Sequence, residues 1–176
     1  SWGMSLEEAE ADLRFLGQMP GRKILLKGNH DYWWNTVSKM RKFLEEKGIE
    51  NIEFLHNNCF TYGEYAICGT RGWFWEEEQG AQDAKVLNRE LGRLETSLKA
   101  AGDREKLVFL HYPPLYQGYQ CPEILQLLQK YGVKRCWYGH LHGGSHRLAV
   151  EGRQGDVAYY LVSADYVGFR PQKICE

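Results

Sequence analysis

The sequence predicts an α/β protein or a layered α-β-α sandwich. Runs with helical periodicity interleave with short apolar runs of strand type along the chain. Three of the strand-type runs end directly in polar motifs: Gly28-Asn29-His30-Asp31, Leu110-His111-Tyr112-Pro113-Pro114 and Tyr138-Gly139-His140-Leu141-His142. With 176 residues, the chain is expected to form a single domain, 1–176, with a sizeable core.

From Met4 to Leu16, apolar Leu6, Ala9, Leu13 and Leu16 recur at helical spacing, and Ser5 suits the N-cap. Pro20-Gly21 turns the chain into a strand over Lys23–Lys27. Thr36 to Lys47 predicts a second helix, with Val37, Met40, Phe43 and Leu44 on one face and Gly48 as its C′ residue. Strands follow at Ile52–Leu55, Cys59–Tyr62 and Tyr65–Cys68, the last two joined as a hairpin through Gly63-Glu64. Gln82 to Ala101 carries the strongest helical pattern, in Val86, Leu87, Leu91, Leu94 and Leu98, with Gly102 after it. A buried-type strand, Lys106–Leu110, leads to His111. A helix from Pro122 to Tyr131 has proline in its first turn. Strands at Arg135–Tyr138 and Asp156–Val162 complete the pattern, with no internal repeat or linker.

Composition narrows the function classes. A net charge of −1 argues against a dedicated nucleic-acid binder, though not against a nucleotide substrate. Cys59, Cys68, Cys121, Cys136 and Cys175 form no C-x-x-C pair, which reads as reduced thiols and a cytoplasmic setting. No apolar run approaches the roughly 20 residues that cross a bilayer, and no signal-peptide pattern is visible. The Trp and Tyr residues around the motifs read mainly as core and pocket wall.

In open α/β sheets, ligands bind outside the carboxyl ends of strands. The three motifs therefore aim Asn29, His30, His111, His140 and His142 at one rim. Amide oxygen and imidazole suit iron, manganese or zinc. The glycines around His140 and His142 permit close backbone approach. An isolated loop histidine, or an Asn-His-Asp turn, has an ordinary structural explanation; three such motifs at successive strand ends point to a site. Arg71, in Thr70-Arg71-Gly72-Trp73, suits bidentate phosphate binding or a surface ion pair. Tyr112 suits a pocket wall or packing on Pro113. Glu76-Glu77-Glu78 reads as a solvated loop, and His56 and His146 fit no motif.

In this order, Gly-Asn-His-Asp, His-Tyr-Pro-Pro and Gly-His-Leu-His resemble the calcineurin-like metallophosphoesterase superfamily. Gly69-Thr70-Arg71-Gly72-Trp73 and Ser163-Ala164-Asp165-Tyr166 also resemble its bacterial branch of predicted phosphohydrolases. The resemblance implies an α-β-β-α sandwich of mixed sheets with two metal ions at the strand ends, hydrolysing a phosphomonoester or phosphodiester. It implies that Asn29, His111 and His140 bind one metal and His142 the other. It further implies that His30 contacts the phosphate and protonates the leaving oxygen, and that Asp31 orients His30. Metal-activated hydroxide would be the nucleophile, and a phosphorylated small molecule or nucleotide the substrate.

Two metals need more ligands than one amide and three imidazoles. The family's Asp-x-His and Gly-Asp motifs have no match here, and Ser1-Trp2-Gly3-Met4 resembles the segment just after Gly-Asp. The bridging aspartate is thus expected upstream of Ser1, leaving the domain N-terminally incomplete and its sheets without their first two strands. Natural degeneracy and substitution by Asp165 are the alternatives, although Asp165 reads better as an anchor of the last strand. An open sheet edge would favour self-association. The rival function is a non-catalytic, partner-binding scaffold with an incomplete dinuclear site; a nuclease of the same superfamily fits the neutral charge less well.

Overall fold

The computed structural model describes residues 1–73 and 81–175; Trp75 and the Glu76–Glu78 run lie outside the described residues. Among the described residues, four α-helices and ten strands follow one another: α1 (Glu10–Gln18), β1 (Lys23–Leu26), α2 (Val37–Glu46), β2 (Ile52–Leu55), β3 (Phe60–Tyr62), β4 (Tyr65–Thr70), α3 (Ala81–Ala100), β5 (Glu105–Leu110), β6 (Leu115–Tyr116), β7 (Tyr119–Gln120), α4 (Pro122–Lys130), β8 (Arg135–Tyr138), β9 (Gly152–Gln154) and β10 (Val157–Leu161).

Local chemistry sets most boundaries. Thr36 caps α2, its hydroxyl accepting from Lys39 N–H at 3.3 Å, and Gly48 leaves the helix at φ +66°. Gly63, at φ +56°, turns β3 into β4. The first helix starts later than its periodicity predicts. Residues 6–9 form turns instead, held where Ser5 Oγ accepts from Glu8 N–H (3.2 Å) and Glu8 Oε2 from Met4 N–H (2.8 Å). Leu6 and Ala9 are nevertheless buried with Leu13, so the apolar spacing identified the packed face and not the first helical turn.

The strands make two main sheets. β1 and β2 pair in parallel, with Lys23 opposite Ile52. The larger sheet runs β3-β4-β5-β8-β10-β9. Its four central strands are parallel, and β3 and β9 are antiparallel edges. α3 carries the crossover from β4 to β5, and α4 the one from β5 to β8. The β6-β7 hairpin, β9 and a 3-10 turn over Gly143–Leu148 carry no periodic signal and were not expected.

Two apolar cores hold these layers. α1 and α2 pack on β2 through Leu13, Met40, Phe43, Leu44 and Phe54. α3 and α4 pack on the large sheet through Leu94, Leu98, Ile124 and Leu128 against Val108, Cys136 and Tyr138. The sheets meet where β2 touches β4. The result is the helix–sheet–sheet–helix layering that the resemblance implied, with a mixed sheet of six strands and a second sheet of two.

Gly69 of β4 has φ +154°, which points its Cβ position at β5. A Cβ there would lie 1.9 Å from the Phe109 carbonyl oxygen, so the strand that presents Arg71 tolerates only glycine at this position. Phe54 is fully buried in the first core, and truncating it leaves a large cavity. Phe54→Ala is expected to lower unfolding free energy by about 3–5 kcal/mol in urea titration. Thr61→Ala, on an exposed edge position, should stay within about 0.5 kcal/mol. Equal losses at the two positions would contradict the two-core packing.

Candidate metal centre

Three loops converge at the carboxyl ends of β1, β5 and β8, drawn from both sheets. Asn29 follows β1, His111 follows β5 and His140 follows β8. Asn29 Oδ1 lies 2.8 Å from His111 Nε2, and His140 Nδ1 lies 3.2 Å from the same nitrogen. Backbone bonds fix these approaches. His111 N–H and Tyr112 N–H both donate to the Arg71 carbonyl, and Gly139 N–H donates to the His111 carbonyl. Gly28 explains its place in the motif: a Cβ there would crowd Asp31 Oδ2 and the His111 ring at 3.3 Å each.

His140 has φ +72°, a left-handed conformation that costs a non-glycine residue about 1–2 kcal/mol. Leu141 N–H donates to the Gly139 carbonyl across it, closing a γ-turn of the rarer, strained hand. Strain of this kind persists where surrounding structure over-determines it, and such residues cluster at functional sites. Here the strain turns an imidazole toward His111.

The electrostatics fit a cation. Burial first, and His140 second, pull His111 down to about 3. Burial first, and His142 second, pull His140 down to about 4. Both rings are therefore neutral near pH 7 and keep a lone pair for coordination. Two imidazole nitrogens and an amide oxygen make a suitable half-shell for one divalent ion. Among the described residues, no group of three or more His, Cys, Asp or Glu side chains is gathered to hold a metal, and no carboxylate joins these three donors.

His142 stands apart from that trio. Its Nδ1 lies 2.8 Å from Asp165 Oδ1, while Gly143 N–H donates to Asp165 Oδ2 at 2.9 Å. His146 Nε2 lies 3.2 Å from the same Oδ2. The Gly143 N–H foremost, and His142 after it, hold the Asp165 carboxyl well below the usual carboxylate range. Asp165 is therefore the partner of His142, a role more specific than anchoring the last strand. With Nδ1 engaged, His142 retains Nε2 as its free donor, the arrangement that carboxylates commonly impose on metal-binding histidines.

His30 is exposed at the rim, its ring 4.4 Å from Trp2 and its Nδ1 3.5 Å from Tyr32 Oη. Asp31 does not reach it. Its carboxylate accepts from Gly28 N–H at 2.7 Å and Trp33 Nε1–H at 3.0 Å, so Asp31 shapes the loop rather than touching His30. The Arg71 guanidinium lies over the Trp73 ring at 4.9 Å and the Tyr112 ring at 6.0 Å. The Tyr112 ring is 4.6 Å from His140, so both residues border the trio. Lys27 and His56, which the sequence left without a role, line a cleft beside Arg71. Thiol chemistry has no candidate in the core: burial pushes Cys68 up to about 12 and Cys121 to about 11, far from thiolate reactivity.

The family model for the calcineurin-like phosphoesterases matches residues 2–144, a span that includes all three strand-end motifs. The chain belongs to the calcineurin-like phosphoesterase family. Members generally use divalent metal ions. A solved crystal structure is similar in fold, with a TM-score of 0.51 at 12% identity over 87% of this chain and 62% of the other. This chain thus spans less than two thirds of that relative's length. Comparison with curated proteins gave no match. Among the described residues, no helix is long and apolar enough to cross a membrane.

The strained turn makes a measurable contribution. Glycine accepts positive φ where alanine does not. His140→Gly is expected to be more stable than His140→Ala by about 1 kcal/mol in thermal or urea unfolding. Equal stability of the two variants would show that the turn relaxes once the imidazole is gone.

Proposed function

We propose that the chain is a metal-dependent phosphoesterase that hydrolyses a phosphomonoester or phosphodiester. The observation that carries this reading is the convergence of Asn29 Oδ1, at 2.8 Å, and His140 Nδ1, at 3.2 Å, on His111 Nε2 at strand ends. These three hold one ion, and His142, steadied by Asp165, offers Nε2 to a second. Manganese, iron or zinc suits such donors. Bound metal supplies Lewis-acid charge and a nucleophile at neutral pH.

The chain's own residues do the rest. His30, exposed at the rim, gives a proton to the leaving oxygen. Arg71 meets a phosphoryl oxygen through its guanidinium, and Tyr112 walls the pocket beside His140. Magnitudes assign the roles. Phosphate-monoester hydrolysis needs accelerations up to ~10²¹, while one general acid contributes about 10²–10⁴. Charge stabilisation at the metal centre must therefore supply most of the barrier reduction. The substrate is a phosphorylated small molecule or nucleotide, and free cysteines support a reducing, cytoplasmic setting.

The rival reading, a partner-binding scaffold without catalysis, draws on one observation: no described carboxylate joins the Asn29–His111–His140 trio. Metal analysis with turnover of bis(p-nitrophenyl) phosphate and p-nitrophenyl phosphate separates the two. The enzyme reading expects manganese-stimulated hydrolysis, lost with bound metal in His111→Ala. His30→Ala should retain metal yet lose about 10²–10⁴ in kcat on an alkyl phosphate, and much less on nitrophenyl esters, whose leaving group needs no proton. Absence of turnover and of metal uptake with manganese added would overturn the enzyme reading for this chain.

A further inference from the structure

A cleft of about 700 Å³ opens beside the candidate metal centre, between the carboxyl ends of β1 and β2, the end of β4, and α3. Its size is that of a pocket for a whole small molecule rather than for one phosphate. The chain as a whole is almost neutral, at −1, yet this cleft is strongly cationic. Lys27, Arg41, Arg71, Arg89 and Arg93 line it, with Glu90 as the one carboxylate among its described lining residues.

Pairing leaves much of that charge unbalanced. Glu90 is only 1% exposed and is spoken for: it accepts from Thr70 Oγ1 at 2.5 Å and from Arg93 at 2.6 Å. Arg41 lies 3.5 Å from Glu53, which also receives Arg22 at 3.3 Å. Lys27, Arg71 and Arg89 have no carboxylate within ion-pair distance among the described residues. Two further donors in the lining are orphaned. Arg71 Nε and Trp34 Nε1 are buried N–H groups with no hydrogen-bond partner. Buried donors of this kind are rare and call for an acceptor.

Arg71 joins the cleft to the metal centre. It lines the cleft on one side and lies over Tyr112 on the other, and Tyr112 packs on both His111 and His140. A ligand held by Asn29, His111 and His140 at one end would therefore extend along Arg71 into cationic surroundings.

We infer that the cleft is a second anion subsite and that the substrate is a small molecule carrying a second phosphoryl group besides the scissile one. Lys27 and Arg89 bind that second group. Arg71 spans the two groups. Arg is suited to this because its planar fork presents several donors at fixed angles. The inference deepens the phosphoesterase reading and rests on it for the word substrate, but not for the binding site.

Two arms test it separately. In the first, pyrophosphate is titrated calorimetrically into the full chain kept metal-free with EDTA. Binding is expected, weakened at least tenfold in Arg89→Gln and in Lys27→Gln. Lys42→Gln, which removes an exposed cation on the outer face of α2, should bind as the unmodified chain does. No binding, or losses equal in all three variants, would overturn the subsite. In the second arm, the metal-loaded protein is assayed on phenyl phosphate and on a sugar bisphosphate. Arg89→Gln is expected to lower kcat/KM at least tenfold more for the bisphosphate. Equal losses would overturn the assignment of the second phosphoryl group to substrate. Turnover of neither compound, with pyrophosphate still bound, would instead remove the phosphoesterase reading and leave an anion-binding cleft.

Discussion

Asn29 Oδ1 and His111 Nε2 meet at 2.8 Å, joining the end of β1 to the end of β5 across two sheets that share no strand pairing. Much else in the site depends on that closeness. Gly28 lacks a side chain where one would press on the His111 ring. The carbonyls of Arg71 and His111 receive the backbone amides of the neighbouring loops, so β4, β5 and β8 end in register. His140 accepts a left-handed backbone to bring its ring within 3.2 Å of the same nitrogen. Two packed cores, one beneath each sheet, hold the strand ends rigidly enough to sustain that arrangement.

Charge is divided between neighbouring compartments. At the strand ends, burial keeps His111 and His140 neutral, so the donors offer lone pairs rather than positive charge. One residue away along the chain from Gly28, Lys27 opens a cationic cleft in which burial first, and Arg71 second, lower the lysine's pKa below the ordinary amine range. Neutral ligands beside unpaired cations suit a chemistry in which a cation and an anion are bound together. On the far side, Asp165 contributes negative charge through His142 without touching the trio. The three environments match a metal, its ordering carboxylate and an anionic ligand.

Much of this was legible in the sequence, for physical reasons that differ by residue. Apolar periodicity located α2, α3 and α4 nearly to the residue, because long amphipathic faces leave a strong signal and Thr36 and Gly48 mark the ends of α2. Periodicity misplaced the start of α1, since Leu6 and Ala9 are buried from a turn as effectively as from a helix. Position after a strand singled out Asn29, His30, His111, His140 and His142, and the family resemblance grouped the trio among them. The partner of His142 was not legible, because Asp165 lies 23 residues onward, past β9 and β10, in a segment without periodicity. The separation of Asp31 from His30 was not legible either: the resemblance implied that Asp31 orients His30, and the amide of Gly28 and the indole of Trp33 engage the carboxylate instead. Lys27, Arg89 and Arg93 carry no motif, and only folding brings them to one cleft.

The central claim is that Asn29, His111 and His140 form a cation site. Histidine side-chain nitrogens observed by NMR during titration of metal-free protein with zinc test it most directly. The expected result is that His111 Nε2 and His140 Nδ1 shift together with the first equivalent, while His56 stays unmoved. Metal-dependent shifts confined to His56 or His146, with His111 and His140 silent, would contradict it.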